Sequence, residues 1–253
     1  MTTLNQITAA LDAELRLADF EDASHNGLQV ANSGKVTQVC CGVDASLDFF
    51  YAAHELGADF CVVHHGISWG SSLAKISETN YEIVSFLMKN DIALYAAHLP
   101  LDAHPVLGNN ACIASALGLI DVSGFCTYHG NSIGRKGTLP SPITFDELCG
   151  RVRTLTPSGA FHALPFGPNL VSTIGIVSGG AAGEVSQAID AGLDCYLTGE
   201  MNLQAYHAAK QGEINVIAAG HYATERFGVK AIGDFLSHNF KLSCNFIDFD
   251  LPW

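Results

Sequence analysis

The chain is short of positive charge: 12 lysines and arginines stand against 25 aspartates and glutamates in 253 residues, a formal net charge of −13. Affinity for a nucleic-acid backbone rests mainly on Lys and Arg contacts, so this balance argues against a nucleic-acid partner. Charge of either sign is scarce, at 15%, while hydrophobic residues make up 48%. Such a composition suits an ordered globular protein with a substantial core and leaves little room for disordered tails. No apolar run reaches the about 18 residues that a membrane-spanning helix needs. The opening stretch, MTTLNQITAALDAELRLADFED, lacks a basic leader and mixes acids among its apolar residues, unlike a secretory or transit peptide. The expected location is therefore cytoplasmic, with no membrane partner. The eight cysteines include no CxxC pair, and several lie in strand-like runs, as buried reduced thiols do.

What is present is an alternation. Strand-type runs at 36–43, 60–63 and 92–96 are interleaved with helix-length segments at 47–56 and 79–89, and the Asn109-Asn110 pair is placed to cap a further helix running to 117. This is the pattern of a mainly parallel sheet covered by helices. Gly, Ser, Thr and Pro then dominate 127–142, a connecting subregion, before a helix at 144–155 and a strand at 161–166. Strands at 173–177, 195–197, 214–218 and 243–249, with helices at 184–191, 203–210 and 224–236, resume the alternation. The expected organisation is α/β, with a first lobe of 1–124 and a second part, connecting subregion plus lobe, of 125–253.

The two halves read as distant copies. GADFCVVHH (57–65) can be laid over GLDCYLTGE (192–200), and one strand later YAAHLPLD (95–102) matches AAGHYATE (218–225). His98-x3-Asp102 thus lies opposite His221-x3-Glu225.

Sites in open parallel sheets form at the carboxyl ends of strands, where His64, His65, Asp102, His221 and Glu225 all fall. Consecutive histidines at a strand end, where the chain turns, can each supply a ring nitrogen to a different metal. Taken alone, HHG is equally well read as two ordinary histidines, one packed and one exposed. His221 and Glu225, four apart at a helix start, share one face; such pairs are also common as mere surface contacts. Asp102 sits between Pro100 and Pro105, which favour a loop over a helix. His98 is read as a catalytic proton carrier or an outer-sphere residue beside the metals, and a packed histidine is the equal alternative. His25, His104, His129, His162 and His207 read as structural or surface residues, and Gly179-Gly180 as a tight turn into a helix.

Three imidazoles and two carboxylates without cysteine suit Zn²⁺, Mn²⁺, Fe²⁺ or Co²⁺. Five ligands exceed what one catalytic zinc takes, and a bridging carboxylate lets them hold two ions about 3.5–4 Å apart with solvent in the remaining positions. The natural reaction class is metal-dependent hydrolysis of a small molecule. The alternative is a non-catalytic metal-dependent binding, assembly or regulatory protein, which a closed coordination shell would mark.

With those residues in view, the chain resembles the Nif-three-like family, also called GTP cyclohydrolase I type 2 homologues. The resemblance is carried by HNGLQV (25–30), GVDAS (42–46), VVHHG (62–66), HLPLDAHPVLGNN (98–110), LTGE (197–200) and GHYATER (220–226). It implies a dinuclear metal centre on His64, His65, Asp102, His221 and Glu225 and two related α/β lobes with that centre in the cleft between them. It also implies a ring-shaped homohexamer, the compact bacterial-type form without an inserted domain, and GTP ring opening as the named reaction.

Overall fold

The computed structural model describes residues 2–157 and 160–251. Among the described residues the chain folds as two compact units, one running up to Leu101 and taking in Gly228–Phe249, the other made of Asp102–Phe227 with Asp250 and Leu251.

The first unit opens with helix α1 (Leu4–Glu14), started by a capping box in which the Thr3 hydroxyl accepts from the Gln6 N–H and the Gln6 amide oxygen accepts from the Thr3 N–H. Its five-stranded sheet has the order β1 (Gly27–Val30), β4 (Ala93–Ala96), β3 (Phe60–His65), β2 (Gln38–Asp44) and β11 (Ser243–Phe246). Only β1 runs antiparallel to its neighbour. Phe49 and Phe50 of α2 (Leu47–Glu55) and Ile83 and Leu87 of α3 (Glu78–Lys89) pack on Cys40, Cys61, Val63 and Leu94 of the sheet. A strand covered in this way on a parallel sheet reads as a continuous apolar run, which is why FCVV shows no alternation.

The second unit holds a six-stranded sheet in the order β5 (Ile120–Tyr128), β6 (Asn131–Thr144), β8 (Leu170–Val177), β9 (Cys195–Thr198), β10 (Asn215–Ala218) and β7 (His162–Leu164). β8, β9 and β10 are parallel, while β5, β6 and β7 join antiparallel. The helices are α5 (Asn109–Ala116), α6 (Phe145–Leu155), α7 (Val185–Asp190) and α8 (Leu203–Gln211). Two more, α4 (Leu99–Ala103) and α9 (His221–Phe240), carry the chain from one unit into the other. Among the described residues no helix is long and apolar enough to cross a membrane.

The fold is α/β, as expected, but the second sheet is mixed. The Gly/Ser/Thr/Pro-rich stretch is no connector: it forms the turn of the β5–β6 hairpin and much of its second strand. The bounds of the compact units also differ from a single division after residue 124, because β11 returns to hydrogen-bond with β2 in the first sheet.

The matching Gly-x-Asp segments have one structural job in both units. Gly57 follows α2 and Gly192 follows α7, each with positive φ (74° and 64°), the left-handed conformation that ends a helix at low cost only for glycine. The carboxylate two residues on then ties down the start of the neighbouring parallel strand: Asp59 accepts from the Thr37 and Gln38 N–H groups, and Asp194 from those of Ser172 and Thr173. The resulting registers correspond, Val39 opposite Phe60 and Ile174 opposite Cys195.

Candidate metal-binding residues

In the first unit, β3 ends in His64 and His65, and the chain just beyond β4 carries His98. His64 is fully buried. The three rings gather closely, with centroids 4.7 Å apart for His64 and His65, 5.1 Å for His64 and His98, and 5.7 Å for His65 and His98. One ring nitrogen from each lies within 4.8 Å of the others. Trp69 stands edge-on to His98 at 4.9 Å. The glycine of HHG is required by space, since a Cβ at Gly66 would collide with the Gln29 amide and the Ala96 methyl. Gln29 instead uses its amide oxygen to accept from the Ile67 N–H at 2.8 Å, which fixes the turn after the histidines.

Each of these imidazoles is held by the same atom. His64 Nδ1 bonds to the Ala97 carbonyl at 2.8 Å, His65 Nδ1 to Asp44 Oδ1 at 2.8 Å and His98 Nδ1 to Asp22 Oδ1 at 3.0 Å. A carbonyl or carboxylate oxygen accepts, so Nδ1 carries the proton and Nε2 is left as the ring's lone-pair nitrogen. Backing a metal-type histidine in this way sets its tautomer and orientation. The Asp22 side chain is 2% exposed. Burial pushes its pKa up, but the bond and charge of His98, with bonds from Asn26 and the Ser24 N–H, outweigh that and bring it down to about 2.

In the second unit, His221 begins α9 just after β10, and Glu225 follows one turn later. Their Nε2 and Oε2 atoms lie 3.2 Å apart, and Glu225 is 3% exposed. His221 repeats the rule, its Nδ1 bonding to Glu200 Oε1 at 2.6 Å. Burial pulls the His221 pKa down, yet bonds and charges from Glu225 and then Glu200 prevail and raise it to about 9. Gly179, with φ of 68°, lies against this pair: a Cβ there would strike the Glu225 carboxylate. The turn reading of Gly179-Gly180 holds, and its backbone is also the wall against which Glu225 rests.

Asp102 is 6% exposed and lies in α4, not in a loop. Pro100 falls in the first turn of that helix, where no intrahelical N–H bond is lost and proline is tolerated. Asp102 Oδ1 accepts from Asn109 Nδ2 at 2.9 Å and from the Ser178 hydroxyl at 3.1 Å. Asn109 and Asn110 are therefore not caps; Gly108 occupies the N-cap of α5. Asn110 accepts from the Ser178 N–H and donates to the Ile133 carbonyl, both at 2.8 Å.

Sequence reasoning missed Asp22, Asp44, Glu200 and Ser178. Glu200 left a signal, since the internal repeat lays it over His65, and Asp44 stands within GVDAS. The eight cysteines are all free thiols, six of them buried.

A two-unit α/β fold presenting anchored imidazoles and buried carboxylates of metal-ligand type defines the class of protein. The chain belongs to the Duf34/NIF3 (NGG1p interacting factor 3) family, whose model matches residues 2–251. A Deinococcus radiodurans protein named GTP cyclohydrolase 1 type 2 homolog is 40% identical over 245 residues, spanning 97% of this chain and 92% of the relative. One of the same name from Archaeoglobus fulgidus is 38% identical and spans 97% of both. Among solved structures, a structural-genomics protein called ybgI, described as of unknown function, matches with a TM-score of 0.93 at 33% identity over 100% of both chains. A Thermus thermophilus protein matches with a TM-score of 0.90 at 34% identity, again over 100% of both.

Proposed function

We propose that the protein is a dinuclear metal-dependent hydrolase of a small molecule, with His64, His65, Asp102, His221 and Glu225 as its ligands. The observation that carries the reading is the common anchoring of the imidazoles: each histidine of the set bonds through Nδ1, leaving Nε2 as the ligating atom. The donors are nitrogen and carboxylate oxygen, which fits two divalent ions of the Zn, Fe, Mn or Co type. When bound, such ions make water nucleophilic near neutral pH and steady a developing oxyanion.

The chain's own groups divide the remaining work. Asp44 and Glu200 orient His65 and His221, while Asn109 and Ser178 orient Asp102. His98, its Nδ1 proton held by Asp22, takes or gives a proton at Nε2. The name shared by the Deinococcus and Archaeoglobus relatives makes GTP the first substrate to try. The ring-shaped homohexamer belongs to the same reading, and the solution mass, set against 26.8 kDa for one chain, checks it.

The test is metal content per chain in wild type and in a His64→Ala, Glu225→Ala double variant, followed by a hydrolysis screen that includes GTP. About two ions per wild-type chain, lost in the double variant together with turnover, is the expected result. Wild-type protein that takes up no Zn²⁺, Mn²⁺ or Fe²⁺ would refute the reading. Full metal with no turnover of any substrate, and no exchangeable coordination position, would move the function to binding or assembly.

A further inference from the structure

The parallel strands of the second sheet end together, so the turns after β9 and β10 bring Gly199, Glu200 and Met201 beside Gly220 and His221. β7 runs the other way, pairing His162 with Ala218, so its first residue arrives at the same edge. These groups, with Ala160, line a half-open cavity of about 180 Å³. The sequence gives His162 no chemical context, yet the antiparallel edge strand sets it in the same cavity as His221.

The cavity has a definite size and character. An apolar cavity of about 150 Å³ takes up benzene, so 180 Å³ matches one six-membered ring. Two of its lining positions must stay small: a Cβ at Gly199 would press on the Gly179 carbonyl and the His221 backbone, and Gly220 has φ of 94°. Met201 offers a polarisable thioether, which favours an aromatic partner, and His162 a flat ring. The one carboxylate in the lining, Glu200, already accepts from His221, and a carboxylate has acceptor sites enough to take an N–H from a ligand as well. A flat ring carrying an N–H or amide group answers these features.

We infer that this cavity is the subsite for one six-membered ring of the substrate, with Met201 and His162 as its specificity walls and the reacting bond turned toward His221. The substrate role rests on the hydrolase reading; the presence of a ring-binding site does not.

The chain has three methionines, so ¹³C-methyl labelling of the full-length protein gives Met201 its own signal, assigned with Met201→Leu. Benzamide is titrated into metal-free and Zn²⁺-loaded protein, with acetamide as the ringless control. Benzamide should shift the Met201 methyl saturably in both forms while Met88 stays still and acetamide does nothing. His162→Ala should weaken binding about 5-fold, the worth of one ring contact, and His162→Phe should restore it. A Met201 signal unmoved by benzamide at tens of millimolar, or moved equally by acetamide, overturns the inference, as does His162→Ala binding unchanged. Failure of metal uptake leaves the benzamide result intact, and failure of benzamide leaves the metal count intact, so the two readings fall separately.

Discussion

Replacing Asp22 with asparagine tests the anchoring of His98. The carboxylate is a crowded acceptor: Oδ1 takes the Ser24 N–H at 3.1 Å, Oδ2 takes Asn26 Nδ2 at 2.9 Å and the Leu99 N–H at 3.1 Å, and His98 Nδ1 spans both. An asparagine cannot satisfy this set. Whichever way its amide turns, the NH₂ faces a backbone N–H, and stranding a buried donor costs about 1–3 kcal/mol. The ionic part can be worked separately. The pKa falls from 3.8 to about 2, and at about 1.4 kcal/mol per decade the ionised form contributes roughly 2 kcal/mol, trimmed to about 1–2 by solvent screening. These terms overlap, so the expected loss at pH 7 is about 2–4 kcal/mol. Because the folded-state pKa is depressed, the ionic share is complete above about pH 4 and disappears as pH falls through about 2. Urea unfolding of metal-free wild type and Asp22→Asn, followed by circular dichroism at about pH 7, 4.5 and 2.5, should show a gap at the first two that shrinks at the third. Coincident midpoints at neutral pH, or a gap that does not shrink at the most acid point, would refute the reasoning.

Three further outcomes follow from the same geometry. Glu200→Ala frees the His221 ring, and zinc affinity measured by calorimetry should drop by about 10–100-fold; unchanged affinity would show that Glu200 does not orient the ligand. Gly179→Ala meets both a positive φ and the Glu225 carboxylate, so thermal unfolding should register a loss of about 1–3 kcal/mol, and a variant as stable as wild type would dismiss the close packing. Asn110→Ala strands the Ser178 N–H and takes a donor from the Ile133 carbonyl; chemical denaturation should show about 2–3 kcal/mol of destabilisation, and a neutral result would mean water replaces the amide.

How much was legible beforehand depended on whether the signal was local. The apolar strands on either side of HHG, and the helix that begins with His221 and Glu225, are local patterns of period and composition. So is the Gly-x-Asp repeat, whose two aspartates do the same work at two strand starts. β1 was not legible, because Gly27–Val30 is short and is paired by a partner far along the chain, at Leu94–Ala96. The hairpin of β5 and β6 was hidden by its glycines and serines, which signal turns although antiparallel pairing and burial of Phe125, Ile133 and Leu139 hold it as sheet. The anchor Asp22 is read only through tertiary contact, since nothing near it in the chain marks an acidic residue as the partner of a distant imidazole. Pro100 misled for a specific reason: the rule that proline breaks helices applies beyond the first turn, and this proline lies within it.

The place of β11 bears on how the chain is made. The strand that completes the first sheet leaves the ribosome only after every residue of 102–227 has been synthesised. Until then β2 presents an open edge along a stretch whose residues from Val39 to Val43 are buried in the finished protein. An uncovered apolar edge of that kind invites pairing with other chains. The nascent protein therefore keeps that edge open for longer than a chain whose sheets close in sequence order.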